Sequence, residues 1–309
     1  MDKVVVIAGP TASGKTDLAV ELALKVNGEI ISADSMQIYR GMNIGTAKPT
    51  IEERRGIPHH MLDIVNPDVD YSVAQFKEDA IACIKDIINR GKTPIIAGGT
   101  GLYINSLVYN ITFSDIITDW EYRNELNRIS EERGPQVLYE RLQKVDPKSA
   151  ELIHCNNIKR VIRALEVYKT TGKPISEHKE ASRSVPPSYK FLVYGLNVER
   201  DKLYQRIDNR VDKMIDMGLY EEVEELLNNG YSPKLVSLQG IGYKEIISAI
   251  LGKCALSETI ENIKKGTRHF AKRQTTWFNK TEGLVWVEYS NTNTWAILKL
   301  LADALNNEH

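Results

Sequence analysis

The sequence has 309 residues, with 40 Lys and Arg against 41 Asp and Glu, 42% hydrophobic residues and 26% charged ones. That length leaves room for about two domains, and the composition excludes disordered, collagen-like and disulfide-scaffold chains. A net charge of −1 argues against a protein that coats nucleic acid over its whole surface, although it leaves local basic patches open. Cys83, Cys155 and Cys254 lie far apart and form no C-x-x-C pair, so neither a disulfide framework nor a cysteine zinc site is readable, and a reducing cytosol fits. The first apolar run, Val4 to Ala8, stops at Gly9-Pro10, too short for a signal-peptide core. No later run approaches the roughly 18 apolar residues of a membrane span, so a cytoplasmic protein with no membrane partner is expected.

Short β-branched runs alternate with helical patterns. Val4 to Ala8, Glu29 to Ala33 and Pro94 to Ala97 are largely apolar throughout, as strands buried on both faces are. Between the first two, Thr16 to Val26 places Leu18, Ala19, Leu22 and Ala23 on one helical face; before the third, Val73 to Asn89 does so with Ala80, Ile81, Ile84, Ile87 and Ile88. These are βαβ crossovers, and the fold class is α/β with a parallel sheet. From about Asp119 to Glu180, charged residues interleave with Leu, Ile and Val at helical spacing and no strand candidate appears. Pro186-Pro187 marks the exit, Tyr189 to Leu196 reads as another strand, and Leu284 to Val287 as a last one before a terminal helix. The expected organisation is a core of residues 1–116 and 188–309, interrupted by a helical insertion of residues 117–187.

Gly9-Pro10-Thr11-Ala12-Ser13-Gly14-Lys15-Thr16 satisfies G-x-x-x-x-G-K-[ST], directly after a buried strand and directly before an amphipathic helix. Loop N–H groups converge on an anion at the positive helix end, Lys15 adds a point charge, and the Thr16 hydroxyl can ligate Mg²⁺. The pattern supports binding of a di- or triphosphate group, not its hydrolysis. An NTPase normally carries an acid at the end of a second apolar strand, whereas Pro94 to Ala97 runs into Gly98-Gly99-Thr100-Gly101. Glu29 to Ala33 does end in an acid, Asp34. Carboxyl ends of neighbouring parallel strands share a crevice, so Asp34 and Thr100 should both face the phosphate loop. From the residues alone, Asp34 is equally a helix N-cap or a catalytic carboxylate.

Further segments carry a resemblance: GPTASGKT at 9–16, DSMQIYRGMNIGTAKP at 34–49, PHHMLDI at 58–64, GGTGLY at 98–103, KRVIRALEVY at 159–168, GIGYKE at 240–245 and KRQTTWF at 272–278. This ordered set, spread from residue 4 to about 290, resembles the tRNA dimethylallyltransferases (tRNA isopentenyltransferases), whose cores are P-loop NTPase-like. The resemblance implies transfer of a dimethylallyl group from dimethylallyl diphosphate to N6 of the adenosine immediately 3′ of the anticodon, with Mg²⁺ and release of diphosphate. It implies Asp34 as the base that fixes N6, Thr100 beside the bridging oxygen and Arg210 on the diphosphate, with Arg206 one helical turn away as a rival. Gly9, Thr11, Ala12, Ser13, Gly14, Lys15 and Thr16 would hold the diphosphate, and Thr16 the metal. It places tRNA contacts at Asp34, Ser35, Met36 and Gln37, at Lys159, Arg160 and Arg163, at Gly242, at Lys272 and Arg273, and at Arg123. Read without the resemblance, Arg210 is a solvated charge on a polar helix face.

Lys264 to Lys280 contains Lys264, Lys265, Arg268, Lys272, Arg273 and Lys280 with no acid. Lys265, Arg268, Lys272 and Arg273 fall near one helical face, with Phe270 and Trp277 available to anchor the other, and such a cationic stripe suits phosphate contacts of RNA. His59-His60 suggests a structural or hydrogen-bonding role, since adjacent side chains on extended chain point apart and no third ligand is spaced to join them. Three rivals share parts of this pattern: an adenylate isopentenyltransferase, a P-loop small-molecule kinase, and a nucleotide-sensing RNA-binding switch. The helical insertion and the acid-free basic segment favour tRNA as acceptor. A monomer is expected.

Overall fold

The computed structural model describes residues 1–112, 119–182, 185–290 and 293–306. The expected domain boundary at 116/117 lies outside the described residues. The chain divides into two compact units, Met1–Val108 with Ser188–His309, and Tyr109–Pro187.

The first unit is built on six parallel strands: β1 (Lys3–Ala8), β2 (Gly28–Ser32), β3 (His59–His60), β4 (Thr93–Gly98), β5 (Lys190–Asn197) and β6 (Val285–Glu288), in the order β3-β2-β4-β1-β5-β6. Central β1 pairs Val5 with Ile95 on one side and with Leu192 on the other. Its alternating side chains supply two cores, as a two-residue period requires. Val4, Val6 and Ala8 pack with Phe76, Ile84 and Ile87 of α3 (Val73–Asn89); Val5 and Ile7 pack with Leu18 and Leu22 of α1 (Lys15–Val26) and Leu301 of α14 (Thr294–Asn306). Both faces are therefore covered, which is why these strands read as unbroken apolar runs. The α3 helix begins at a capping box in which Ser72 and Gln75 exchange side-chain and backbone bonds.

Short α2 (Ile51–Arg54) precedes edge strand β3, and α4 (Gly101–Val108) follows β4. Where sequence patterning gives no strand at His59-His60, β3 adds a two-residue edge beside β2. There His60 Nε2 meets Glu29 Oε2 at 2.8 Å, and Arg90 and Lys92 also hold this buried carboxylate, keeping it well below the usual carboxylate range. His59 Nδ1 lies 2.9 Å from the Ile57 carbonyl oxygen.

The second unit contains α5 (Trp120–Arg133), α6 (Pro135–Val145), α7 (Pro147–Leu152), α8 (Ile158–Thr171) and α9 (Ile175–Ser182), with no strand among the described residues. Leu126, Leu138, Leu142, Val161 and Leu165 form its own core. After β5 the first unit continues with α10 (Arg200–Asp216), α11 (Leu219–Asn228), α12 (Tyr243–Ile250) and α13 (Leu256–Phe278). Val211, Leu219, Val223, Tyr243, Ile246 and Ile263 from these helices enclose Ile38, Tyr39 and Met42, so the chain just after β2 is fixed by a core of its own.

Candidate active site

The phosphate loop joins β1 to α1. Gly9 at φ +146° and Gly14 at φ +93° adopt backbone conformations that disfavour side chains, and a Cβ on Gly14 would also fall 2.4 Å from the Tyr289 ring. Within the loop Ser13 is fully buried, and its Oγ has no hydrogen-bond partner among the described residues.

Lys15 begins α1, and its Nζ donates to the Pro10 carbonyl at 2.5 Å. Burial foremost, then the neighbouring Arg210 charge, lowers its pKa to about 7, while Asp34 works in the opposite direction. Arg210 sits half-buried on α10; burial lowers its pKa, opposed by Asp17 and Glu53. A cleft of about 520 Å³ opens here, lined by Gly14, Lys15, Thr16, Arg206 and Arg210 among others. Arg206 and Arg210 both reach this cleft, and Arg210 is the one whose charge is felt by Lys15. Two cations forced together with little solvent make a site that favours a multivalent anion.

Asp34 follows β2. Its Oδ1 accepts from the N–H groups of Met36 at 2.9 Å and Gln37 at 3.4 Å, and its second oxygen makes no hydrogen bond among the described residues. No helix follows, so the carboxylate closes a turn instead of capping a helix. Burial raises its pKa, with the two N–H groups and Lys15 pulling it back. Thr100, just past β4, binds the same turn: its Oγ1 accepts from the Ser35 N–H at 3.0 Å and stands 3.4 Å from Ser35 Oγ. Gly98 lets the two strand ends meet, since a Cβ there would lie 2.2 Å from the Ala33 carbonyl oxygen.

Gln37 is turned to structural duty: its amide donates to the carbonyls of Thr46 at 3.2 Å and Ala47 at 3.1 Å. Met36 lies against Gly240, where a Cβ would come within 2.7 Å of its methyl. Gly242, at φ +96°, caps α12 and donates its N–H to Glu245 at 2.9 Å.

Sequence reasoning passes over Gln274. From α13 its Oε1 accepts from the Thr11 N–H at 2.8 Å, and its Nε2 donates to the Gly99 carbonyl at 2.9 Å. One amide thus ties the phosphate loop to the Thr100 turn, and a Cβ on Gly99 would lie 2.2 Å from that Nε2. The available signal is a buried polar residue on the apolar face Ala271–Gln274–Phe278.

That face corrects the expected anchoring of α13. Phe270 and Trp277 are each 36% exposed, whereas Ile263, Ala271, Gln274 and Phe278 are buried at helical spacing. Arg268 bonds to Asp208 at 2.5 Å and Lys264 to Asp212 at 2.7 Å, so these cations bind α10. Lys265, Lys272 and Arg273 remain exposed, with Arg273 stacked over the Phe270 ring at 5.7 Å. In the second unit Arg123 and Arg163 both hold Glu166, whose side chain is 0% exposed, at 2.9 Å and 2.6 Å. Lys159 and Arg160 are exposed on the same helix as Glu166.

The model of the IPP transferase family matches residues 37–281. The chain belongs to the IPP transferase family. It is 55% identical over 287 residues to a tRNA dimethylallyltransferase of Acetivibrio thermocellus, covering 93% of this chain and 92% of that protein. Among solved structures, the full-length tRNA isopentenylpyrophosphate transferase of Bacillus halodurans is 42% identical with a TM-score of 0.74, covering 99% of this chain and 97% of that one. A eukaryotic dimethylallyltransferase acting on tRNA is 33% identical with a TM-score of 0.82, over 98% of this chain and 78% of that one. The IPP transferase assignment agrees with a parallel core in which the phosphate loop follows β1, Thr100 follows neighbouring β4, and Asp34 follows β2 on the far side of β4.

Proposed function

We propose that this protein transfers a dimethylallyl group from dimethylallyl diphosphate to N6 of the adenosine immediately 3′ of the anticodon in tRNA, releasing diphosphate. The observation that carries the reading is Asp34: a half-buried carboxylate with raised pKa and one oxygen without a hydrogen bond among the described residues, held beside Thr100 and within the field of phosphate-loop Lys15. An RNA-binding switch has no need of a base so placed, and a small-molecule kinase gives no reason for the exposed Lys265, Lys272 and Arg273 of α13.

The Thr11–Thr16 loop, with Lys15 and Arg210, binds the diphosphate; orphaned Ser13 Oγ and loop N–H groups serve as donors. Among the described residues no cluster of three acids, His or Cys exists to hold a metal without help. The half-buried Thr16 hydroxyl in the cleft fits Mg²⁺, which keeps most of its water and shares phosphate oxygens. Mg²⁺ would neutralise diphosphate charge there. In the transfer, the N6 lone pair forms the new C–N bond as the allylic C–O bond breaks, its electrons leaving with diphosphate. Lys15 and Arg210 stabilise that growing charge, and the Thr100 hydroxyl supports the bridging oxygen. The N6 proton, acidified as the bond forms, passes to Asp34.

The target base must leave its stack at a cost of about a few kcal/mol, supplied by contacts elsewhere. Exposed Lys272 and Arg273 in the first unit, and Lys159 and Arg160 in the second, suit the phosphate contacts. The reading takes the protein as a cytoplasmic monomer. Among the described residues no helix is long and apolar enough to cross a membrane. The test is transfer of labelled dimethylallyl from the diphosphate to tRNA carrying adenosine after the anticodon. Label is expected on N6; phosphate release from ATP with no labelling would overturn the assignment in favour of a kinase or NTPase.

A further inference from the structure

The segment from Asn43 to Thr50 lines the cleft that Lys15 and Arg210 also line, contributing Asn43, Ile44, Ala47 and Pro49 to its wall. It has no helix or strand to fix it before α2. Instead, one carboxylate holds three of its consecutive backbone N–H groups. Glu222 of α11 accepts the N–H groups of Asn43 at 2.8 Å and Ile44 at 2.7 Å on Oε2, and that of Gly45 at 3.1 Å on Oε1. The Tyr243 hydroxyl of α12 donates to the same Oε1 at 2.6 Å. Gly45 lies so close to Tyr243 that a Cβ would fall 2.5 Å from its ring. On the opposite side the Gln37 amide holds Thr46 and Ala47, and Lys48 Nζ donates to the Tyr39 carbonyl at 2.8 Å and to Asp63 Oδ1 at 2.5 Å.

Three consecutive N–H groups directed at one ionised carboxylate are charge-assisted donors, stronger than neutral ones and specific for an acceptor with no proton of its own. Ile44, Ala47 and Pro49 give the wall an apolar surface beside the cationic floor, the chemistry needed by a short isoprenoid attached to a diphosphate. We propose that Glu222 is a positioning residue for the prenyl donor: it sets the backbone of Asn43–Gly45 so that the segment forms the donor-side wall of the cleft, without itself touching donor or acceptor. The inference rests on the dimethylallyl-transfer reading.

Substituting Glu222→Gln keeps size and one acceptor oxygen but turns an NH₂ toward backbone donors. Binding of dimethylallyl diphosphate to the full chain, measured by calorimetry without tRNA, should weaken by about tenfold, as expected for losing a charge-assisted bond. In steady state, KM for the donor should rise likewise, with kcat within about threefold and KM for tRNA unchanged, the pattern of lost uniform donor binding. Gly45→Ala, which forces Tyr243 and the segment apart from the other side, should reproduce that donor-specific change. Tyr243→Phe keeps all three N–H bonds to Glu222 and removes only the hydroxyl that also bonds it, so it should alter donor KM by less than Glu222→Gln does. Unchanged donor affinity in both Glu222→Gln and Gly45→Ala, or a fall in kcat that merely follows the folded fraction, would overturn the proposal. A wild-type protein that binds the donor yet labels no tRNA would instead refute the transfer reading and leave the donor-wall role standing on its binding arm.

Discussion

Lys15 makes the donor site sensitive to pH in a direction that can be worked out. Burial and Arg210 hold its pKa at about 7 in the free protein. A bound diphosphate, carrying several negative charges, raises that pKa, so binding takes up a proton wherever free Lys15 is neutral. The donor's own last phosphate ionisation, near about 6, is complete on this side of neutrality. Between the donor's ionisation and the Lys15 pKa, Lys15 is mostly charged both free and bound, and affinity changes little. Above it, affinity falls by up to about tenfold per pH unit, which is about 1.4 kcal/mol. At pH 8 roughly 0.9 proton should enter per dimethylallyl diphosphate bound. Calorimetry in two buffers of different ionisation enthalpy reads this uptake directly. Lys15→Arg, whose guanidinium stays charged, should remove both uptake and slope. Absence of proton uptake by wild type at pH 8, with affinity constant from pH 7 to 9, would refute the argument.

Asp34→Asn should lower kcat by about 10²–10⁴-fold while leaving tRNA affinity nearly intact; equal turnover would reduce Asp34 to a turn-former. Because burial raises the Asp34 pKa, and the base works ionised, the acid limb of kcat/KM for tRNA against pH should lie above the ordinary carboxylate value in wild type; a limb at or below that value would contradict the assignment. Gln274→Ala leaves the Thr11 N–H and Gly99 carbonyl without their partner, each worth about 1–3 kcal/mol when buried, so thermal stability and diphosphate affinity should fall together. In the second unit, Arg160→Ala should weaken tRNA binding and flatten its salt dependence, with no change in melting temperature. Arg123→Ala should lower the melting temperature, because fully buried Glu166 then loses a bidentate partner.

The sheet is legible because its strands are buried on both faces, and the phosphate loop because its glycines are forced: Gly14 has no room for a Cβ against Tyr289. Asp34 and Thr100 follow from topology, since adjacent parallel strands deliver their ends to one crevice. What the linear pattern hides is partnership across the chain. Nothing near Gln274 indicates that it spans Thr11 and Gly99, and nothing near Glu222 reveals a segment some 180 residues earlier resting on it. The basic run of α13 shows the converse: composition counts every cation alike, while Asp208 and Asp212 on another helix withdraw Arg268 and Lys264. Arg123 and Arg163 are likewise engaged by one buried acid that charge counting cannot locate.

The second unit leaves the first after Val108 and returns at Ser188, and the returning strand β5 lies directly against β1. To complete the sheet, the chain must therefore bring together two ends separated by about 80 residues, a closure whose entropy grows only logarithmically with length. Doubling that excursion would cost only about 0.6 kcal/mol. Since the excursion has its own core, its length and surface can drift over generations with little thermodynamic effect on the sheet. The catalytic layer and the inserted helices are thus free to evolve at different rates on one polypeptide.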